Sequence, residues 1–424
     1  MNENGFNTSE HSDLRGAYKK FVKQMADWYN GGELPELAGQ DLRFVLELQR
    51  QKLRSLGLDL KYEIQNKGSG SIDISSLSLS DRIFINTIVG GYMDMTRSIG
   101  SSQEQLSKNT ADIGLFAMIQ ELKNGTPPED NMALCCPHCG APSTLGELQA
   151  GCKHCGTHFL MSELYPKVMN YMIHERYISE MVSNKNKRDL AILIAACSIP
   201  MIIIAIISNV FFSQGQERIM NIILAPISGI FAGAMIGGII FVFKKLFETF
   251  GIIGKGLRGG GHTISTIINA NKIKRYDPEF SSEYFRDKII SLFRMAVYSK
   301  DASELACCKC QCPEEAADII EAQLFNFNIN SCKIKDSVCD AEVTLFLDCI
   351  HYKDGKVKSK TDKYRMRMRK RIKNPTELGF SFAAVNCPSC GASFDARNVK
   401  SCPYCNSEYL HEEHDWIITD LNEI

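Results

Sequence analysis

The sequence predicts an α+β membrane protein on three observations: four Cys-x-x-Cys pairs in two groups, two uncharged apolar stretches in mid-chain, and alternating strand-like runs near the C-terminus. A chain of 424 residues is long enough for two to four domains. Its formal net charge of −1 carries no basic footprint of the kind that nucleic-acid binders show. Of the 17 cysteines, eight belong to the paired groups and the others lack disulfide-like spacing, a usage that suits a reducing compartment.

The first ten residues are polar and partly acidic, so neither a secretory signal nor a mitochondrial presequence is expected there. Residues 1–130 read as mainly helical. Leu14, Tyr18, Phe21, Val22 and Met25 follow helical spacing, as do Leu42, Phe44, Val45, Leu48 and Leu53. A short strand is expected at 58–64, a Gly/Ser break at 67–71, and further helix over 80–99 and 104–122. No chemistry is identified in this region.

The first cysteine group joins Cys136-Pro-His-Cys139 to Cys152-Lys-His-Cys155, and the second joins Cys387-Pro-Ser-Cys390 to Cys402-Pro-Tyr-Cys405. Two thiolates three positions apart can grip one tetrahedral ion when the residue after the second Cys adopts a left-handed turn. Gly140, Gly156, Gly391 and Asn406 stand at those positions. Residues 131–160 and 386–406 are therefore predicted to be zinc ribbons, each with one structural Zn2+. A closed four-sulfur site leaves no open position for water, so both read as struts and not as catalysts.

Residues 161–189 read as a helical stalk, with Leu164, Val168, Met172 and Ile178 recurring. A two-helix transmembrane hairpin follows over 190–243. Its uncharged stretches, 190–212 and 220–243, each reach about 35 Å as helix, against about 30 Å of hydrocarbon. The short loop between them puts both arms on one side of the membrane. Lys185, Lys187 and Arg188 precede the hairpin and Lys244, Lys245, Lys255 and Arg258 follow it, which places both termini in the cytoplasm. Ala225, Gly229, Gly233 and Gly237 form a small-residue stripe, suited either to packing against the first span or to a homo-oligomer. Pro200 is expected to kink the first span.

A basic Gly-rich linker over 244–273 lacks the residue order of a P-loop. In the α+β domain at 274–424, Ser281 or Ser282 caps a helix whose apolar face is Phe285, Ile289, Leu292, Phe293 and Ala296. The crowded Cys307, Cys308, Cys310 and Cys312 match no ribbon. Alternation over 339–349 predicts a strand, Asp354-Gly355 a turn, and the return strand places Tyr364, Met366 and Met368 on one face. Arg365, Arg367, Arg369 and Arg371 line the other face. That row suits a phosphate-bearing partner or simple cross-strand pairing with Asp340, Glu342 and Asp348. Residues 380–385 and the run from Trp416 are expected to add strands, so that the second ribbon is inserted into a sheet.

The Asp277-Pro-Glu-Phe-Ser281 lead, the helix with Phe285, the alternating strands, the Cys-Pro-Ser-Cys-Gly-Ala insertion and Trp416 together resemble bacterial, zinc-ribbon members of the translocase-of-the-inner-membrane subunit-44-like family. The resemblance covers about residues 274–424. It implies a fold similar to nuclear transport factor 2, a curved sheet with helices around an apolar pocket, and a place at the bacterial cytoplasmic membrane. Phe285, Phe293, Met366, Phe380 and Phe382 become candidates to line that pocket, or else plain core. The expected function is a membrane-anchored, cytosol-facing binding or scaffold protein with lipid and protein partners, and no catalysis is expected: His174-Glu175 and His411-Glu-Glu-His414 complete no metalloprotease motif, and the latter is expected in a solvated turn. The alternatives are a zinc or redox sensor and a subunit of an oligomeric transporter.

Overall fold

The computed structural model describes residues 8–65, 72–101, 104–123, 128–175, 184–212, 223–242, 264–372 and 377–424. Residues 1–175 together with 262–424 form one compact unit, and 176–261 form another.

In the N-terminal half of the first unit, helices α1 (Thr8–Tyr29) and α2 (Gln40–Ser55) cover a sheet. Its strands are β1 (Leu58–Gln65), β2 (Ile72–Ser80), β3 (Phe84–Ser101), β4 (Gln105–Leu122) and β7 (Lys167–Glu175), in the order β1-β3-β4-β7 with β2 also on β3. Strands β1 and β2 lie end to end along β3, from Leu58↔Ser101 to Gln65↔Asp94 and from Ile72↔Gly91 to Ser80↔Ile85. Leu14, Tyr18, Phe21, Val22 and Met25 are buried on the sheet side of α1, as their spacing requires.

The expectation of helix over 80–99 and 104–122 is overturned: both stretches are strand, so residues 1–130 are not mainly helical. Ile85, Thr87, Ile88, Val89 and Thr96 favour extended backbone, and Gly90, Gly91 and Gly114 disfavour a helix interior. Gly90 is needed for packing, because a Cβ there would stand 2.2 Å from the Phe116 ring. The clean two-residue alternation is missing because the C-terminal half covers part of the second face. Phe84 packs with Tyr284 and Leu378, and Gln120 Nε2 donates to the Leu378 carbonyl at 2.9 Å.

The predicted stalk is also corrected. A single turn, α4 (Met161–Leu164), is followed by strand β7, which pairs with β4; residues 176–183 lie outside the described residues. A spacing of four satisfies a period of two as well as one of 3.6, so Leu164, Val168 and Met172 fit either. Pro166 decides against continued helix.

In the C-terminal half, α7 (Ile264–Lys274) and α8 (Ser282–Tyr298) cover strands β8 (Ile319–Lys335), β9 (Val338–Lys353), β10 (Lys356–Arg371) and β13 (Ile417–Glu423), in the order β13-β10-β9-β8. Ser281 caps α8 by accepting from Tyr284 N at 3.0 Å. The Asp354-Gly355 turn has positive φ at both residues, as a tight hairpin requires. Residues 264–273, expected as linker, are helix α7, whose Asn269 and Lys272 side chains donate to β8 carbonyls; residues 244–263 lie outside the described residues. Residues 380–385 add no strand to this sheet. Asp41 on α2 takes the Ser381 hydroxyl and the Phe382 N–H instead, at 2.7 and 3.1 Å.

The two halves repeat one topology. Each runs two helices, an antiparallel meander whose first strand is β1 plus β2 or β8, a cysteine ribbon, and a last strand beside the third. They interlock through α2, which sends Leu42, Leu46 and Leu53 into its own core and Val45 and Leu48 into the other. Ile320 and Ile350 return the exchange.

The second unit contains helices α5 (Asn184–Phe212) and α6 (Ile223–Val242). Within them, Leu190–Phe211 and Ile223–Val242 are long and apolar enough to cross a membrane. Their faces meet at the glycine stripe: a Cβ on Gly229, Gly233 or Gly237 would stand 2.5, 2.3 or 3.0 Å from the Cα of Ile202, Ser198 or Ile194. The stripe is thus filled by the chain's own first span. The expected connecting loop at 213–219 lies outside the described residues.

Candidate metal centres

Each ribbon contains one short antiparallel strand pair followed by turns. In the first, β5 (Ala133–Cys135) pairs with β6 (Pro142–Thr144) and leads to α3 (Leu145–Ala150), whose start is fixed by reciprocal Thr144 and Glu147 contacts. Leu145, Leu148 and Leu164 pack around Cys136 and Cys152. In the second, β11 (Val385–Asn386) pairs with β12 (Ser393–Phe394), and Val385, Phe394, Ala396 and Tyr409 pack around Cys387 and Cys402.

All four knuckles close alike. The N–H groups of Gly140, Gly156, Gly391 and Asn406 donate to the carbonyls of Cys136, Cys152, Cys387 and Cys402 at 2.8, 2.7, 2.8 and 2.9 Å, with φ of 75°, 74°, 74° and 56°. The sulfurs of Cys136 and Cys155 stand 3.7 Å apart and those of Cys139 and Cys152 3.8 Å; the second site gives 3.6 Å for Cys387 and Cys405 and 3.7 Å for Cys390 and Cys402. The edge of a tetrahedron with a Zn–S bond of about 2.3 Å is about 3.8 Å long. Each set of four can therefore hold one metal ion, and an all-sulfur donor set suits zinc. Hydroxyls assist: hydrogen bonding to Thr157 draws the Cys155 thiol down to about 5, and hydrogen bonding to Ser407 does the same for Cys387.

The ribbons, 251 residues apart at their first ligands, lie side by side. Cys135 Sγ lies 3.2 Å from the Ala383 carbonyl, and Asn386 Nδ2 donates to the Asn131 carbonyl at 2.7 Å. These contacts are nearly reciprocal, each running from the residue before a first ligand to the approach of the other ribbon.

The remaining sequence candidates are placed as follows. Phe285, Phe293, Met366 and Phe382 are buried in the core between α8 and its sheet, with Phe285 4.8 Å from the Trp416 ring and Phe293 5.2 Å from Tyr364. Phe380 is partly buried at the edge of that core. In the arginine row, Arg367 reaches Glu342 and Asp420, Arg369 reaches Asp340 at 2.7 Å, and Arg371 reaches Glu413 at 3.4 Å. Arg365 stands opposite Thr344. His411 and His414 do not form a solvated turn: His411 is buried and hydrogen bonds to the Ala396 carbonyl, and His414 stacks on Tyr409, because aromatic neighbours from the ribbon close over both. Cys308 and Cys310 lie 3.6 Å apart, but the run from Cys307 to Cys312 does not converge on one point.

Sequence reasoning missed the charges that join the halves. Lys288 on α8 meets Asp415 at 2.7 Å and Asp41 at 3.6 Å, all three buried. Burial opposes the charge of Lys288, and Asp415 with Asp41 overrides it, so the ammonium stays well above its ordinary range. Arg294 spans the join with bonds to Asn170, the Tyr171 carbonyl and Gln323. A cleft of about 890 Å³ between α1, α2 and the first ribbon, lined among others by Trp28, Arg50, Arg54 and Glu47, was likewise unsignalled. No protein family, curated protein or solved structure matches the chain.

Proposed function

We propose that this chain is a two-pass, membrane-anchored scaffold whose repeated ribbon-bearing halves stand in the cytoplasm and hold a protein client close to the bilayer. The observation that carries the reading is the splice of a membrane-length hairpin into a single folded unit: the chain leaves that unit after Glu175 and re-enters it at His262. A folded body cannot be threaded through a bilayer, so both ends of the insertion belong on one side. The excess of Lys and Arg next to the spans favours the cytoplasmic side, and sulfur ligands need its reducing chemistry. The closed four-sulfur sets act as struts, and the likeness of residues 274–424 to the translocase-subunit-44-like family makes a polypeptide the preferred client.

A membrane-impermeant thiol reagent tests the topology on intact cells. Gly215→Cys should be labelled from outside and Ser281→Cys only after lysis. The reverse pattern, or release of the protein from membranes by alkaline carbonate, overturns the proposal.

A further inference from the structure

Beyond the two ribbons, a third group of ligand side chains converges in the C-terminal sheet. Cys349 and His351 are two apart on β9 and share one face, and Asp362 comes up beside them from β10. All three are buried, and their ligand atoms lie within 4.8 Å of one another. We propose that Cys349 Sγ, His351 Nε2 and an Asp362 carboxylate oxygen form a third metal site, for a divalent ion of the zinc class, independent of the scaffold reading.

The surroundings are those of a ligand set. Asp318 Oδ1 lies 2.8 Å from His351 Nδ1, the arrangement in which a carboxylate fixes the imidazole so that its other nitrogen faces a metal. The buried hydroxyl of Tyr364, two residues beyond Asp362 on the same strand face, has no hydrogen-bond partner. Thiolate, imidazole and carboxylate give three protein ligands, and a fourth position stays open to water or another donor, unlike the closed tetracysteine sets.

Two of the three ligands are hydrogen-bonded to each other. His351 Nε2 and Asp362 Oδ2 stand 2.5 Å apart, a hydrogen bond, whereas two N/O ligands of one tetrahedral ion stand about 3.3 Å apart. Binding moves the two groups apart by about 1 Å and releases the proton between them together with the thiol proton of Cys349, with no change of oxidation state. Lys360, 2.8 Å from Asp362 Oδ1, is half-exposed and already 3.0 Å from Glu423, so it can give way to the incoming charge. The third ion is thus expected to exchange while the first two stay.

The test uses the full chain in detergent under reducing conditions, saturated with Zn2+, passed through a desalting column and analysed for metal. Three ions per chain are expected for the wild type and two for His351→Ala, with the melting temperature of that variant, freed of the third ion, showing it folded. Should His351→Ala not fold, Asp318→Asn keeps all three ligands and is expected to weaken the third ion about 10–100-fold. A wild type that saturates at two ions overturns the site, as does a folded His351→Ala that still takes three or an Asp318→Asn that binds as the wild type does.

Discussion

Asp287 sits within α8 at 8% exposure, beside Arg286 and Lys288, and burial lifts its carboxyl to about 6 against that pull. Its folded-state pKa lies above the unfolded value of about 3.9, so the folded chain binds the extra proton between those two values. The stability this proton confers is complete below about pH 4 and lost as pH rises through 6, a difference of about 3 kcal/mol. Asp287→Asn should therefore raise the melting temperature at pH 7 and leave it nearly unchanged at pH 3.5. An equal gain at both would exclude titration as the cause. The fully buried pair Lys370–Asp277, 3.1 Å apart, responds differently. Lys370→Met alone removes the cation that faces a buried carboxylate and should cost about 3–5 kcal/mol, while adding Asp277→Leu should restore most of it; denaturant titration of the wild type and the two variants decides. Asp277 opens the segment that suggested a family likeness, yet nothing local to it announced its partner 93 positions away. The ligand cysteines were legible because a knuckle is complete within six residues, turn included. The buried ion pairs were not, because only the tertiary fold brings their members together, across the two halves for Lys288 and Asp41 and within one half for Lys370 and Asp277.

At the scale of elements, β9 and β10 could be read from the sequence because one face meets water. Tyr364, Met366 and Met368 face inward and Arg365, Arg367 and Arg369 outward, so polarity alternates with the backbone. Strands β3 and β4 could not, since long-range packing covers part of the face that would have been polar. Strand β8 escaped notice for another reason: register shifts near Glu321, Asn326 and Ser331 break its alternation into short pieces. The ribbons stand apart from both cases, as elements expected to draw their stability from a bound metal ion. Structural zinc is worth about 10–16 kcal/mol in isolated peptides, comparable with the stability of an entire domain. Cys402→Ser should accordingly lose one zinc and disorder residues 386–406, with fast hydrogen exchange at Phe394 and Tyr409. Retention of both tetracysteine ions would show that the ribbon folds without its full ligand set.

For the folded unit as a whole, the buried charges and the shared helix α2 make the two halves one cooperative body. Asp41 bonds Ser381 and Phe382 and faces Lys288, so Asp41→Ala leaves donors from the other half unmet. It should lower the stability of both halves by the same amount, seen as equal shifts in hydrogen-exchange free energy for β3–β4 and β9–β10 amides. A loss confined to one half would mean that the halves unfold separately. The mixed α+β class, the four knuckles and the two membrane-length stretches were all evident in the sequence. The repeat of one topology was not, because its copies share an order of elements and pairings without sharing a readable pattern of residues.

That splice has a consequence in time. When the ribosome has finished residue 175, the side of α2 bearing Val45 and Leu48 has nothing to cover it, and the 249 residues that follow must still be made. At about 5–20 residues per second that interval lasts roughly 12–50 s. The hairpin emerges within it, ahead of the missing half. On the topology proposed above, delivery to the bilayer precedes completion of the fold in the order of synthesis, and a bare apolar helix face waits until the last strand arrives.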